Sequence, residues 1–69
     1  MNTAKTNYNL LPCPCCGSGV FTTRGGYEIC DVCGWEDDPI QSADPDHVGG
    51  ANRLSLNQAR EAWLAREKV

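Results

Sequence analysis

Apolar residues in the middle of the chain form two short runs separated by a pair of glycines. Val20–Arg24 and Tyr27–Ile29 are rich in β-branched and aromatic residues, as strands are. Gly25-Gly26 between them is typical of a two-residue hairpin turn, because glycine tolerates positive φ at both positions. The pattern therefore predicts a β-hairpin over this stretch.

The C-terminal part of the chain shows the pattern of a helix with a defined start. Ser55 and Gln58 are spaced as a capping box, in which each side chain bonds the backbone N–H of the other residue. Apolar residues then recur at helical spacing on one face, at Leu56, Ala59 and Trp63. The prolines and glycines between Pro39 and Asn52 predict a long loop before this helix.

The chain has few residues with which to build a core. It has 69 residues, and we predict a flexible lead-in over 1–9, with Tyr8 able to pack back, and one domain over 10–69. Domains of this size usually need a metal or covalent staple. The candidate core residues are Val20, Phe21, Tyr27, Ile29, Trp35, Leu54, Leu56, Trp63 and Leu64.

Five cysteines supply a candidate staple. The segments Cys13–Gly17 and Cys30–Gly34 each contain the pattern Cys-x-x-Cys-Gly, and thirteen residues separate Cys16 from Cys30. Two such units are typical of a four-thiolate metal site, most often zinc. A glycine after each pair permits positive φ, so that the turn can aim backbone N–H groups at the sulfurs. The predicted ligands are Cys13, Cys16, Cys30 and Cys33.

These elements together predict a small, metal-stapled α+β fold. In this prediction it is a zinc ribbon, with two Cys knuckles flanking a β-hairpin, plus one C-terminal α-helix. Trp35 directly follows the second knuckle, where it would shield the metal or begin the core.

The fifth cysteine and the choice of metal leave alternatives open. Cys15 would strain the turn if it replaced Cys16 as a ligand, and we favour a bystander thiol exposed at the knuckle over a reactive one. Iron is the rival to zinc, since rubredoxin-like knuckles have the same spacing and thiolate tetrahedra suit both metals. In rubredoxins, however, more chain separates the two knuckles, so zinc is preferred.

Charge and the start of the chain bear on compartment and partners. An odd number of cysteines and a polar start without a signal-like apolar run favour a reducing cytoplasm. No stretch is apolar for long enough to span a membrane. The net charge of −3, with only six scattered Lys and Arg residues, disfavours nucleic acid as a partner.

The acidic residues after Trp35 admit two interpretations. The segment Glu36–Asp46 would attract a basic patch on another protein. Alternatively, this region would hold a hard cation for hydrolysis. The candidate ligands are Asp37, Asp38, Asp46 and the adjacent His47. A solvated acidic loop is the commoner meaning of such a pattern.

Three separated motifs resemble the bacterial cysteine-rich CPCC domain family. They are Cys13–Gly17, Tyr27–Asp38 with its second knuckle, and Gly49–Arg60 with Gly-Gly-Ala-Asn at its start. The resemblance runs from about Leu11 to Trp63 and implies a small zinc-ribbon-like domain with Cys13, Cys16, Cys30 and Cys33 as ligands. It implies no particular activity.

Binding, rather than catalysis, is the function we expect. In this interpretation the zinc is structural, and the module presents a surface to another protein. The alternatives are a thiol-based or metal-responsive redox switch that uses Cys15 and, with less support, a small metal-dependent hydrolase.

Overall fold

The computed structural model describes residues 9–69, and its regular elements are short. In chain order they are β1 (Leu11–Pro12), β2 (Gly19–Phe21), α1 (Pro39–Ala43) and α2 (Leu56–Leu64). The two strands pair antiparallel, with Leu11 opposite Phe21. The predicted lead-in, except for Asn9, and the packing of Tyr8 lie outside the described residues.

The hairpin is real, but its strands are not the predicted ones. β2 pairs with β1 across the first knuckle, and the run Tyr27–Ile29 does not pair with it. The carboxylate of Glu28 instead accepts hydrogen bonds from the N–H and hydroxyl groups of Thr22 and Thr23. A side chain thus takes the donors that a strand ladder would have used, and the predicted hairpin over Val20–Ile29 is wrong.

The second knuckle lies inside a smaller antiparallel pairing of its own. Ile29 forms an isolated bridge with Glu36, flanked by hydrogen bonds from Cys30 N–H to the Trp35 carbonyl and from Asp37 N–H to the Glu28 carbonyl. Each knuckle is therefore the turn of its own short ladder.

The predicted loop between Pro39 and Asn52 begins with a helix, which the sequence pattern did not predict. The Asp38 carboxylate caps α1 by accepting from the N–H groups of Ile40 and Gln41. Pro39 occupies the first helical position, where its missing N–H needs no partner and its fixed φ suits the helix. A five-residue helix carries too little periodicity to be seen in the sequence.

The apolar core is built directly on the cysteines. Its buried members are Cys13, Phe21, Cys30, Cys33, Trp35, Leu56 and Ala59, with Val20, Leu54 and Trp63 packed partly buried against them. Three predicted core residues were wrong, because Tyr27, Ile29 and Leu64 are 50%, 66% and 78% exposed. Trp35 is in the core, as predicted.

A second, polar interior holds the loop after α1 in place. The Gln41 side chain donates to the carbonyls of His47 and Leu54 and accepts from the N–H and side-chain amide of Asn52. The Asn52 amide in turn pairs with both backbone groups of Glu36, and Asp38 accepts from Ala51 N–H. We call Asp38, Gln41 and Asn52, all buried, the polar clasp.

Helix α2 starts where the sequence predicted. Ser55 Oγ accepts from Gln58 N–H at 3.1 Å, and Gln58 Oε1 accepts from Ser55 N–H at 2.9 Å, so the capping box is confirmed. Neither described helix has the length and apolar character needed to span a membrane.

Replacing the cap should weaken α2 measurably. In Ser55→Ala the Gln58 N–H loses its acceptor, and we expect the free energy of unfolding to fall by about 1 kcal/mol. Glu61→Ala, at an exposed position of the same helix, is the control and should change it by less than about 0.5 kcal/mol. Urea unfolding of both metal-loaded variants is the measurement, and equal midpoints would refute the role of the cap.

Candidate metal centre

The two knuckles have the same backbone hydrogen bonds. In the first, Gly17 N–H donates to the Cys13 carbonyl at 2.8 Å and Cys13 N–H to the Ser18 carbonyl at 2.7 Å. In the second, Gly34 N–H donates to the Cys30 carbonyl and Cys30 N–H to the Trp35 carbonyl, both at 2.8 Å. The repeated pattern Cys-x-x-Cys-Gly therefore folds into one local structure twice.

Both knuckle glycines have the left-handed conformation that the sequence predicted. Gly17 has φ of +85° and Gly34 has φ of +94°. Side chains with a Cβ adopt this region at a cost of about 1–2 kcal/mol. Gly34 is also a contact point, since a Cβ there would lie 3.4 Å from the backbone of Val69, whose N–H donates to the Cys33 carbonyl.

The four predicted ligand sulfurs come together between the knuckles. All lie within 4.8 Å of one another, and the Sγ–Sγ distance is 3.7 Å both for Cys13 with Cys33 and for Cys16 with Cys30. Zn–S bonds of about 2.3 Å in a tetrahedron place the sulfurs about 3.8 Å apart. A disulfide would need about 2.05 Å, and all five cysteines are free thiols. Four cysteines are thus positioned to bind a metal ion.

Backbone N–H groups point at these sulfurs. Cys13 Sγ accepts from Cys15 N–H, and Cys30 Sγ accepts from Val32 N–H, each at 3.4 Å. Cys33 Sγ accepts from Trp35 N–H at the same distance. Such bonds spread thiolate charge and fix the orientation of the ligands, as expected from the glycine turns.

Within the cluster, the pKa values of Cys13 and Cys33 are shifted in the opposite direction to that of Cys16. Burial raises the pKa of Cys33 to about 12 and also raises that of Cys13, so both sulfurs hold their protons at neutral pH when no metal is bound. Burial also acts on Cys16, but hydrogen bonds from the Ser18 hydroxyl and N–H outweigh it and lower the Cys16 pKa to about 7. A divalent cation would replace the protons that burial retains.

The cysteine outside the cluster is less exposed than predicted. Cys15 is half-buried, packs against the core and does not join the four-sulfur group. Burial raises the pKa of its thiol, and a hydrogen bond with Cys33 only partly offsets this. A raised pKa lowers the fraction of reactive thiolate, which does not favour the redox alternative.

Three of the acidic residues after Trp35 accept hydrogen bonds within the fold. Asp37 is buried and accepts from Gly25 N–H at 2.7 Å, while Asp38 caps α1 within the polar clasp. The exposed Asp46 accepts from the Asn57 side chain, and His47 is half-buried. Within residues 9–69, the four cysteines are the one group of three or more potential ligands brought close together. The proposed hydrolytic cluster is therefore not assembled.

Sequence reasoning missed Gln41 and Asn52, the residues that organise the interior beside this centre. The Gly-Gly-Ala-Asn motif is part of the resemblance noted in the sequence, and its last residue, Asn52, belongs to the polar clasp. Nothing in a single sequence marks an amide side chain as buried, so no signal was available for Gln41.

Fold and centre together define a small cysteine-rich domain with a four-cysteine cluster suited to a metal ion. Comparison with protein families identifies the family to which this domain belongs. The family model described as "Cysteine-rich CPCC" matches residues 11–66, and the chain belongs to that family. This confirms the resemblance noted in the sequence. A comparison with curated proteins found no matching relative.

Metal affinity should rise steeply with pH. Zinc binds thiolates, and below pH 7 the metal-free chain holds the protons of Cys13 and Cys33 whether it is folded or unfolded, so binding must release at least two protons. The apparent zinc affinity should then increase at least about a hundredfold for each pH unit between about 5 and 7. Competition with a chelator of known zinc affinity across this range measures the slope. A slope clearly below about a hundredfold per unit would show that binding releases fewer than two cysteine protons.

Proposed function

We propose that this protein is a zinc-binding module in which the metal is structural. The observation that carries the proposal is the pair of 3.7 Å Sγ–Sγ distances within a group of four mutually close sulfurs. Four cysteine ligands close the tetrahedron and leave no position for a substrate, which is the pattern of structural rather than catalytic zinc. Cys13, Cys16, Cys30 and Cys33 are the proposed ligands.

Zinc is preferred to iron, and the bacterial cytoplasm is the proposed location. Five free thiols fit a reducing compartment, where zinc is retained by thiolates. Elemental analysis tests the metal directly: protein produced with zinc and iron both supplied should contain one zinc per chain. A stoichiometric iron content, with the visible absorption of an iron–thiolate centre, would overturn the assignment.

The module's role, in our proposal, is to present a surface to another protein. The acidic segment supports this less than the sequence suggested, because Asp37 and Asp38 are buried and only part of Glu36–Asp46 is accessible. Support comes instead from large apolar side chains left exposed around the second knuckle, at Tyr27, Ile29 and Val32.

Chemical cross-linking in cells tests the contact role. The full chain should be recovered joined to one partner in a defined ratio, and recovery should require the metal-binding cysteines, because the surface depends on the fold. A chain that carries zinc but is recovered only as an uncross-linked monomer, at low and high salt, would remove the contact role and leave the zinc assignment intact.

A further inference from the structure

The segment Tyr27–Cys30, which leads into the second knuckle turn, is paired on one side only. Its inner side bonds to the segment Trp35–Asp37 through Cys30 N–H and the Glu28 carbonyl. Because these bonds flank the bridge between Ile29 and Glu36, the N–H and C=O of Ile29 point to the opposite side. Within residues 9–69 neither group has a hydrogen-bond partner.

Two apolar side chains belong to this edge, and a third follows in the knuckle turn. Ile29 is 66% exposed, Tyr27 is 50% exposed, and Val32 at the tip of the knuckle is also exposed. An unpaired backbone flanked by exposed apolar side chains is the arrangement that accepts an added strand, in which the backbone gives affinity and the side chains give specificity.

Tyr27 has a backbone conformation that its side chain makes costly. Its φ is +60°, in the left-handed region where a residue with a Cβ loses about 1–2 kcal/mol relative to glycine. A strained, exposed aromatic residue is typical of a contact site, where a bound partner buries the ring and the ring stabilises the complex.

Charge selects the occupant of this edge. Glu28 lies within the segment, Asp31 follows it in the knuckle turn, and Glu36 lies opposite. The chain also has a net charge of −3. A second copy would bring two equally negative chains together, with Glu28 of each in the shared ladder and Asp31 of each close to it. A partner segment that contains lysine or arginine would instead be attracted by this negative charge.

We propose that the Tyr27–Cys30 edge binds an extended segment of a partner protein, in which apolar residues alternate with lysine or arginine, as an added antiparallel strand. This rests on the proposed contact function and assigns it a site. The added strand pairs with the N–H and C=O of Ile29, and its apolar residues cover Tyr27 and Ile29, which lie at alternate positions.

Selection of displayed random peptides, each about twelve residues long, on the immobilised, zinc-loaded full chain tests the proposal. We expect enriched peptides that alternate β-branched or aromatic residues with lysine or arginine. On binding a synthetic representative, the Ile29 amide should become protected from hydrogen exchange, because it gains an acceptor. Enrichment of acidic peptides, or protection elsewhere without change at Ile29, would overturn the proposal.

Two variants and a control separate the edge from the rest of the surface. Ile29→Lys and Tyr27→Gly should each weaken the peptide about thirtyfold or more, whereas Ile40→Lys, at a 60% exposed isoleucine on α1, should bind it as the wild type does. Tyr27→Gly should also melt at the same or a higher temperature, because glycine relieves the strain. This combination of a stable fold and lost binding is not expected of a structural residue.

The outcomes distinguish this inference from the function on which it rests. If a cross-linked partner is recovered equally by wild type and Ile29→Lys, the contact function stands and the edge is not its site. If the zinc-loaded chain sediments as a dimer that Ile29→Lys dissociates, a second copy occupies the edge and the proposal is wrong.

Discussion

Stripping the metal from this protein is expected to unfold it. Cys13, Cys30 and Cys33 are themselves core residues, against which Phe21 and Trp35 pack. Binding of zinc to a structural site of four thiolates supplies apparent folding free energy of roughly 10–16 kcal/mol, which is comparable to the whole stability of a small domain. Chelation by a strong zinc ligand should therefore abolish amide chemical-shift dispersion, and adding zinc should restore it.

A pair of cysteine variants makes the same test without a chelator. Cys33→Ser removes a buried ligand and should leave the chain unfolded and free of metal at about 25 °C. Cys15→Ser alters the half-buried thiol outside the cluster and should keep one metal per chain with a native spectrum. A folded Cys33→Ser variant, or loss of metal in Cys15→Ser alone, would refute the ligand assignment.

The second large effect is expected at Gly50, in the Gly-Gly-Ala-Asn motif. A Cβ on Gly50 would lie 2.5 Å from Asp38 Oδ2 and 2.7 Å from the Gln41 side-chain carbon Cδ. Gly50→Ala must therefore displace two members of the polar clasp and break some of their hydrogen bonds. Overpacking and a buried unsatisfied group each cost on the order of 1–3 kcal/mol, so we expect a loss of about 3 kcal/mol.

The neighbouring glycine provides a matched control. Gly49 has φ of +92°, but a Cβ on it would meet no atom within 4 Å. Gly49→Ala should therefore cost only the conformational strain, about 1 kcal/mol. Denaturant unfolding of the two metal-loaded variants measures both losses. Equal losses would mean that the clasp yields easily and that its packing contributes little.

The parts of the fold that the sequence predicts are those fixed by local chemistry. The knuckle turns follow from Cys-x-x-Cys-Gly because positive φ after the second cysteine requires glycine, as Gly17 and Gly34 confirm. The start of α2 follows from Ser55 and Gln58 for a similar reason, since both bonds of the capping box form within one turn. The meeting of the sulfurs follows from one short connection between two such turns.

The parts that could not be predicted depend on partners distant in sequence or on a single side chain. Glu28 takes the donors of Thr22 and Thr23, which cancels the hairpin that Gly25-Gly26 suggested. The sequence pattern suggested that Asp38 is a solvated surface charge. Its carboxylate oxygens instead accept hydrogen bonds from Ile40 N–H in α1 and from Ala51 N–H in the loop that follows α1. Periodicity cannot show that apolar residues such as Ile29 face outward.

Each knuckle closes on itself through its own carbonyl and N–H groups, and this bears on the kinetics of loading. Because the backbone hydrogen bonds around Cys13 and around Cys30 do not involve the other knuckle, either turn can form locally around an ion, with two sulfurs as ligands, before the rest of the chain folds. Capture of an ion by one turn leaves a linker of thirteen residues to close, and loops of about ten residues close in roughly 10–100 ns. Delivery of the ion and loss of its water shell, rather than rearrangement of the chain, should then set the rate at which newly made protein matures.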